Sequence, residues 1–305
     1  MKGKTSWVLC IWRLLGSIKT FVRKTIFFIL KSSFKMNNIT FIHIGKTGGS
    51  YLIDLLGVDT SDRAKYRHIC NKPELDHKRK YITWIRNPIE RFVSAFNYSY
   101  SGLKQDVSSI TVFNLKTCLI PDVMKKRYIN KTKYLFSKSY DESMFFFETP
   151  NKLAEALSST EPALKKRALD LMNSDIQHIH KGIGWYLYNG EFIKKLKNNI
   201  LFVGKMETMD EDAEKLFKLL NKKYQKKAKV RENVYINKEA KYLSDLAIAN
   251  IIDYYKNSDY AALKELKEAG FITETTYNEY HMYPASSTTG TSNPIMPSAC
   301  TSTLP

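Results

Sequence analysis

Cysteine is scarce in this chain and never clustered. Cys10, Cys70, Cys118 and Cys300 lie far apart and form no C-x-x-C pair. That spacing speaks against a zinc module or a disulfide-framework fold. Acidic residues are also few: 30 Asp and Glu face 48 Lys and Arg, a net charge of +18, and none precedes Asp54. No internal repeat is present, which sets aside solenoids and propellers. Long apolar runs are missing from the basic N-terminal segment, where the longest uncharged stretch, Thr5 to Trp12, is too short to span a bilayer. Glycine is sparse at 13 residues, which excludes a collagen-like fibre.

What remains is ordinary for a globular protein. Hydrophobic residues make up 43% and charged residues 26% of 305 positions. That length fits one large or two modest domains and suffices for a core without metal or disulfide staples. The basic excess implies a polyanionic partner or an anionic surface, with a merely solvated Lys-rich surface as the plain alternative. Nucleic acid, a phosphorylated cofactor, an acidic glycan and a membrane all fit it.

Three parts are expected. Residues 1–36 carry eight basic side chains and no acid, with Val8, Ile11, Leu15, Ile18, Val22, Ile26 and Ile29 at helical spacing. An interfacial amphipathic helix with peripheral membrane contact, a cleaved targeting segment and a true start at Met36 are the competing readings. Residues 37–283 read as the globular domain. Residues 284–305, rich in Ser, Thr and Pro and free of charged side chains, read as a disordered tail.

The globular part reads as α/β. Asn38 to Ile44 and Lys80 to Ile85 are β-branched and apolar, as is Asn199 to Val203, and each reads as a strand. Helices are expected over Thr47 to Leu56, from Pro88 at a first helical position, over Asp210 to Leu220, and within Tyr242 to Leu266. Alternation of this kind favours a central parallel sheet with helices on both faces, a three-layer P-loop-like architecture.

Two segments carry chemistry. In Ile44-Gly45-Lys46-Thr47-Gly48-Gly49-Ser50 a strand meets a helix through a turn with three glycines, one lysine and two hydroxyls. Backbone amides at a helix N-terminus bind anions, and glycine lets the anion approach. A Walker A loop is not met, because Thr40 stands where its leading glycine belongs. In Ile85-Arg86-Asn87-Pro88-Ile89-Glu90-Arg91-Phe92-Val93-Ser94 an arginine ends a strand, the usual ligand edge of an α/β sheet. Arg86 and Ser94 together can hold a phosphate. Ile89, Phe92, Val93 and Phe96 read as the apolar face of the helix, with Glu90 and Arg91 on its surface.

FIHIGKTGGS resembles the FIHIPKTGGT signature of carbohydrate sulfotransferases of the heparan and chondroitin sulfate type. ITWIRNPIERFVSAF resembles their companion RDPVERFLSAY signature. A looser likeness runs through LFVGKMETMDED, RENVYINK and IIDYYKNSDYAALKEL to about residue 268. Gly45 for proline, Ser50 for threonine and Asn87 for aspartate are the departures. The resemblance implies a donor, 3′-phosphoadenosine 5′-phosphosulfate (PAPS), and no metal. It implies that Lys46, Thr47, Gly48, Gly49 and Ser50 hold the 5′-phosphosulfate and that Arg86 and Ser94 hold the 3′-phosphate. Lys46 would also stabilise charge on the leaving oxygen. Lys229 or Arg231 would close over the nucleotide; a solvated loop is the alternative for that basic run.

Transfer to a carbohydrate hydroxyl, of an acidic glycan on the charge argument, also calls for a general base. His68, in an apolar setting between the signatures where relatives place a catalytic histidine, is the first choice. His178 and His180, alternating as if on one face of an extended segment, are the second. His43 reads as packing beside the first strand, His77 as solvated, and Asp54 as a poor base. A P-loop-like nucleotide kinase and a non-enzymatic nucleic-acid- or membrane-binding protein are the alternatives. No nucleic-acid-binding motif is present, so no such partner is expected. Three N-x-[ST] sequons, at Asn38, Asn97 and Asn130, leave a Golgi-type lumen and a cytoplasmic or membrane-associated site equally open.

Overall fold

The computed structural model describes residues 38–62, 64–68, 72–104, 137–176, 178–226 and 241–282. The expected N-terminal amphipathic helix, the C-terminal tail, and Lys229 and Arg231 lie outside the described residues.

The three expected strands form, as β1 (Ile39–Ile42), β3 (Lys80–Ile85) and β4 (Ile200–Lys205). A fourth, β2 (Tyr66–Arg67), was not foreseen; two residues are too few to show a period. All pairings are parallel, in the order β2-β1-β3-β4. Burial on both faces explains the near-continuous apolar strand sequences.

Side chains alternate between two cores, the consequence of the two-residue period of a strand. On one face Phe41, Ile82 and Trp84 meet Leu52 and Leu56 of α1 (Gly49–Leu56) and Leu216 and Phe217 of α8 (Met209–Leu219). On the other, Ile42, Tyr81 and Ile85 belong to a larger core. Helices α2 (Pro88–Lys104), α3 (Lys138–Phe147), α4 (Pro150–Ala156), α5 (Pro162–Met172), α6 (Ile183–Leu187), α7 (Glu191–Leu196), α9 (Asp245–Tyr255) and α10 (Asp259–Glu268) contribute to it. A last short helix, α11 (Glu274–Glu279), follows. The expected three-layer α/β architecture therefore stands, and Tyr242 to Leu266 resolves into two helices.

Helix α2 shows how local chemistry starts an element. The Asn87 side-chain oxygen accepts from the Ile89 amide at 2.9 Å, Pro88 fills the first turn, and Ile89, Phe92 and Phe96 are fully buried. Complete burial of such a side chain contributes about 1.5–3 kcal/mol. Arg91 corrects the expectation of a charged surface pair with Glu90. It is 0% exposed, with Nε 3.2 Å from Asp259 of α10, because a distant helix supplies its counter-charge.

Among the described residues no helix is long and apolar enough to cross a membrane. The chain leaves β1 toward β2 on one side and returns to β3 on the other. The C-terminal ends of β1 and β3 therefore flank a topological switch point, where open α/β sheets bind ligands. With Ile42 opposite Thr83, the turn at Gly45 and the start of α2 open onto the same edge.

Candidate active site

The turn after β1 is braced from within. Thr47 is 1% exposed and its hydroxyl donates to the Ile44 carbonyl at 2.8 Å. That hydroxyl has spent its one proton, so the Thr47 backbone N–H is the donor left for an anion. Lys46 takes φ 72°, uncommon for a side-chain-bearing residue, and Gly48 takes φ 82° ahead of α1. Strain of this kind is found at ligand sites. The Tyr51 and Leu52 amides of α1 close on the Gly48 carbonyl at 3.1 and 3.3 Å, and those of Gly49 and Ser50 stand ahead of them at the positive end of the helix dipole. Ser50 stands exposed in that turn. The Lys46 ammonium lies 4.0 Å over the ring of Tyr98 on α2.

Two imidazoles form the floor of this loop. A Cβ at Gly45 would overlap the His178 ring at Nδ1, and one at Gly49 would overlap the His43 ring. His43 lies just past β1 and donates to or accepts from the Tyr66 hydroxyl through Nδ1 at 2.7 Å. Its ring stacks on His68 with centroids 4.0 Å apart, and His68 lies 5.3 Å from the His178 ring. His43 is therefore more than a packing residue beside the strand.

His68 is half-buried, and its Nδ1 is 2.8 Å from the His43 carbonyl. A carbonyl only accepts, so Nδ1 carries the proton and Nε2 keeps its lone pair. The Tyr186 hydroxyl lies 3.3 Å from the same Nδ1. Burial pushes the His68 pKa down to about 4, against the raising effect of the His43 carbonyl. Burial first, then the neighbouring imidazole of His68, holds His43 and His178 well below the usual histidine range. The cluster is neutral at pH 7, with Lys46, Lys181 and Arg91 as the cations that act on it.

His178 and His180 do not share an extended face. Residues 178–180 form a turn in which the His180 carbonyl accepts from the Gly182 amide at 2.9 Å. His178 joins the imidazole cluster, whereas His180 is not among the stacked rings. His77 is exposed, as its charged surroundings imply, and Asp54 stands exposed on α1.

At the end of β3, Arg86 points along α2. Its Nε and Nη2 donate to the same Glu90 oxygen at 3.0 and 2.9 Å. Glu90 thus holds the guanidinium instead of standing solvated. Ser94, two turns along α2, is 6% exposed. The asparagine at 87 has a physical reason: its amide donates to the Met282 carbonyl at 2.7 Å, which an ionised aspartate could not do. Its backbone N–H donates to Glu207, whose other oxygen accepts from the Tyr280 hydroxyl. Asp212 accepts from the Lys205 amide and the Thr208 hydroxyl. Glu207 and Asp212 of LFVGKMETMDED are therefore braces.

A basic aromatic cluster adjoins His68 through Tyr186. Trp185 packs edge-on against Tyr186 at 4.7 Å. Lys72 stands 4.0 Å over Tyr188 and 5.3 Å over Trp185, and Lys181 stands 5.1 Å over Trp185. These residues were missed in the sequence. The signal was GIGWYLY set among lysines, which also fits a plain buried helix.

Lys46, Thr47, Gly48, Gly49 and His68 thus converge at one edge, with Ser50 in the adjoining turn and Arg86 and Ser94 on the neighbouring strand end and helix. Arg231 lies outside the described residues. No curated protein and no solved structure matches the chain. A family model described as "Sulfotransferase family" matches residues 34–282. A glycine-rich turn after β1, an arginine at the end of β3 and a match across most of the length agree: the chain belongs to the sulfotransferase family.

Proposed function

We propose that this sulfotransferase uses PAPS as donor and a carbohydrate hydroxyl as acceptor, with His68 as general base and without a metal. The observation that carries this reading is the convergence of the Gly45–Ser50 loop and His68 at the edge where Arg86 ends β3. The residues present fit the donor: Gly45 and Gly49, whose side-chain space the His178 and His43 rings already take, leave the loop backbone bare on its other side, with the Gly49 and Ser50 amides and Lys46 beside it. The donor supplies an activated sulfuryl group when bound. Lys46 and the amides of Thr47, Gly48, Gly49 and Ser50 hold its 5′ end; Arg86 and Ser94 hold its 3′-phosphate.

His68 Nε2 takes the proton of the acceptor hydroxyl, whose oxygen attacks sulfur in line. Lys46 stabilises the charge that gathers on the departing phosphate oxygen. Lys72 and the Trp185 ring suit an acidic sugar, the ring supplying an apolar platform and the ammonium a counter-charge. Residues 1–36 are proposed to make peripheral contact with an anionic membrane.

The test is calorimetric binding of 3′,5′-ADP without metal to the wild type and to Arg86→Ala. Micromolar binding that weakens at least about tenfold in the variant supports the reading, since a hydrogen bond to a charged group contributes about 1.5–3 kcal/mol. A folded wild type that ignores 3′,5′-ADP and binds ATP with Mg²⁺ would sink it.

A further inference from the structure

We propose that His178 is a further contact to the transferring sulfuryl group, presented to the donor loop from a segment outside both signature motifs. The inference rests on the PAPS reading above.

Three observations lead to it. His178 is 7% exposed, and its Nδ1 has no hydrogen-bond partner among the described residues. A buried polar atom left unpaired is costly, and such atoms in native proteins call for an explanation. That same Nδ1 occupies the space a Cβ would take at Gly45, the first residue of the loop. The exchange is reciprocal. Where the resembling family has a proline ring, this chain has no side chain at position 45, and an imidazole from position 178 fills the vacancy. The nitrogen thereby reaches the loop that is to hold the phosphosulfate.

The backbone that presents the ring is anchored. The His178 carbonyl accepts from Arg91 Nη1 at 2.7 Å, and the Ile179 carbonyl accepts from the Tyr255 hydroxyl at 2.6 Å. The charged groups that act on His178 are Lys46, Arg91 and Lys181, and its ring neighbours are His68 and Tyr98. All are cationic or neutral. An imidazole N–H so placed is suited to an anionic oxygen.

The division of labour follows. The acceptor oxygen forms its bond to sulfur as the sulfur–oxygen bond to the phosphate breaks. The hydroxyl proton goes to His68 Nε2, and 3′,5′-ADP departs with the bonding pair. His178 Nδ1–H keeps its proton throughout and donates to a sulfuryl oxygen. It acts as an electrostatic donor and not as a second base.

The experiment compares PAPS and 3′,5′-ADP by calorimetry on the wild type, His178→Leu and His178→Asn, with turnover measured alongside. Only PAPS carries the sulfuryl group. His178→Leu is expected to bind 3′,5′-ADP within about twofold of wild type and PAPS at least about tenfold more weakly, the range for a hydrogen bond to a charged group. Its kcat should fall about 100-fold, as for loss of one oxyanion donor. His178→Asn, whose amide nitrogen can stand near Nδ1, should recover much of both. Equal weakening toward both nucleotides, or unchanged PAPS binding, would overturn the proposal. Should the leucine variant not fold, the imidazole nitrogens of the wild type can be followed by ¹⁵N NMR. Nδ1 should shift with PAPS and not with 3′,5′-ADP, and no difference between the two overturns the proposal equally. A wild type that binds neither nucleotide defeats the donor reading itself, whereas binding of both without discrimination at His178 defeats only this inference.

Discussion

Arg91 and Asp259 stand 168 positions apart in the chain and meet at 3.2 Å, with at most 1% of either side chain exposed. Asp259 also accepts from the Gly184 amide at 2.9 Å, and Arg91 donates to the carbonyls of His178 and Ile179. One buried pair therefore ties α2, the turn carrying His178 and α10 together. Removing one partner of such a pair leaves an uncompensated charge and costs about 3–5 kcal/mol. Asp259→Ala should lower the unfolding free energy by about that much in urea titrations. A loss below about 1 kcal/mol would mean that the pair is not buried in solution.

The loop glycines should separate by position. Gly45→Ala drives a methyl into the His178 ring, and overpacking of this kind costs about 1–3 kcal/mol. Gly57, at φ 62°, has open space around a would-be Cβ, so Gly57→Ala costs only the left-handed backbone penalty of about 1–2 kcal/mol. Both variants should lose stability, but only Gly45→Ala should also lose 3′,5′-ADP affinity. Equal affinities in the two would show that the His178 contact does not shape the loop.

Tyr98 sits under the Lys46 ammonium at 4.0 Å. Tyr98→Phe keeps the ring and should leave kcat/KM within about twofold, while Tyr98→Ala removes an attraction of about 0.5–2 kcal/mol and should lower kcat/KM about three- to thirtyfold. Steady-state kinetics on the two variants decides it, and a phenylalanine variant as impaired as the alanine one would point to the hydroxyl instead.

Acid should unfold the protein through its imidazoles. The His68 pKa falls from 6.5 to about 4 on folding, and His43 and His178 move the same way. Between those two values the unfolded chain binds more protons than the folded one, so stability rises with pH across the window. Stability is full above about pH 6.5 and is lost progressively as pH falls toward 4. His68 alone accounts for on the order of 3 kcal/mol at about 1.36 kcal/mol per unit. Thermal melting from pH 7.5 to 4.5 should show the fall, and His43→Phe should flatten it. A melting temperature constant over that range would contradict the burial of the cluster.

The same residue sets the activity profile. A His68 base that remains unprotonated down to about pH 4 should hold kcat/KM level from neutrality to about pH 5, with the acid limb below that. A limb near pH 6.5 would assign the base to a solvated histidine.

Legibility in the sequence followed the range of the forces involved. Lys80–Ile85 and the start at Pro88 were read to the residue, because β-branched composition and a proline in the first turn act locally. β2 was missed because its two residues are strand only through pairing with Phe41 and Ile42. The five residues of α6 are too few for a helical period and depend on packing against α10. Of the site, the loop and Arg86 were legible as contiguous motifs. Glu90 and Arg91 are adjacent charges on one helix, and only Asp259, far down the chain, determines that Arg91 is the buried one. The approach of His178 to Gly45 depends on that same pair, so no local pattern announces it.

The sheet order carries a kinetic consequence. Tyr81 lies beside Ile200, and Phe41 beside both Tyr66 and Ile82, so the two central strands cannot be completed until chain segments distant in sequence have come together. Closing such loops costs entropy before any pairing rewards it, and parallel sheets of this kind fold slowly. Until β4 docks, the β3 edge presents Ile82, Trp84 and Ile85 with unpaired backbone. On the ribosome that edge waits for more than a hundred further residues, roughly five to twenty seconds at ordinary synthesis rates. During that interval the nascent chain is most exposed to aggregation and most in need of a chaperone.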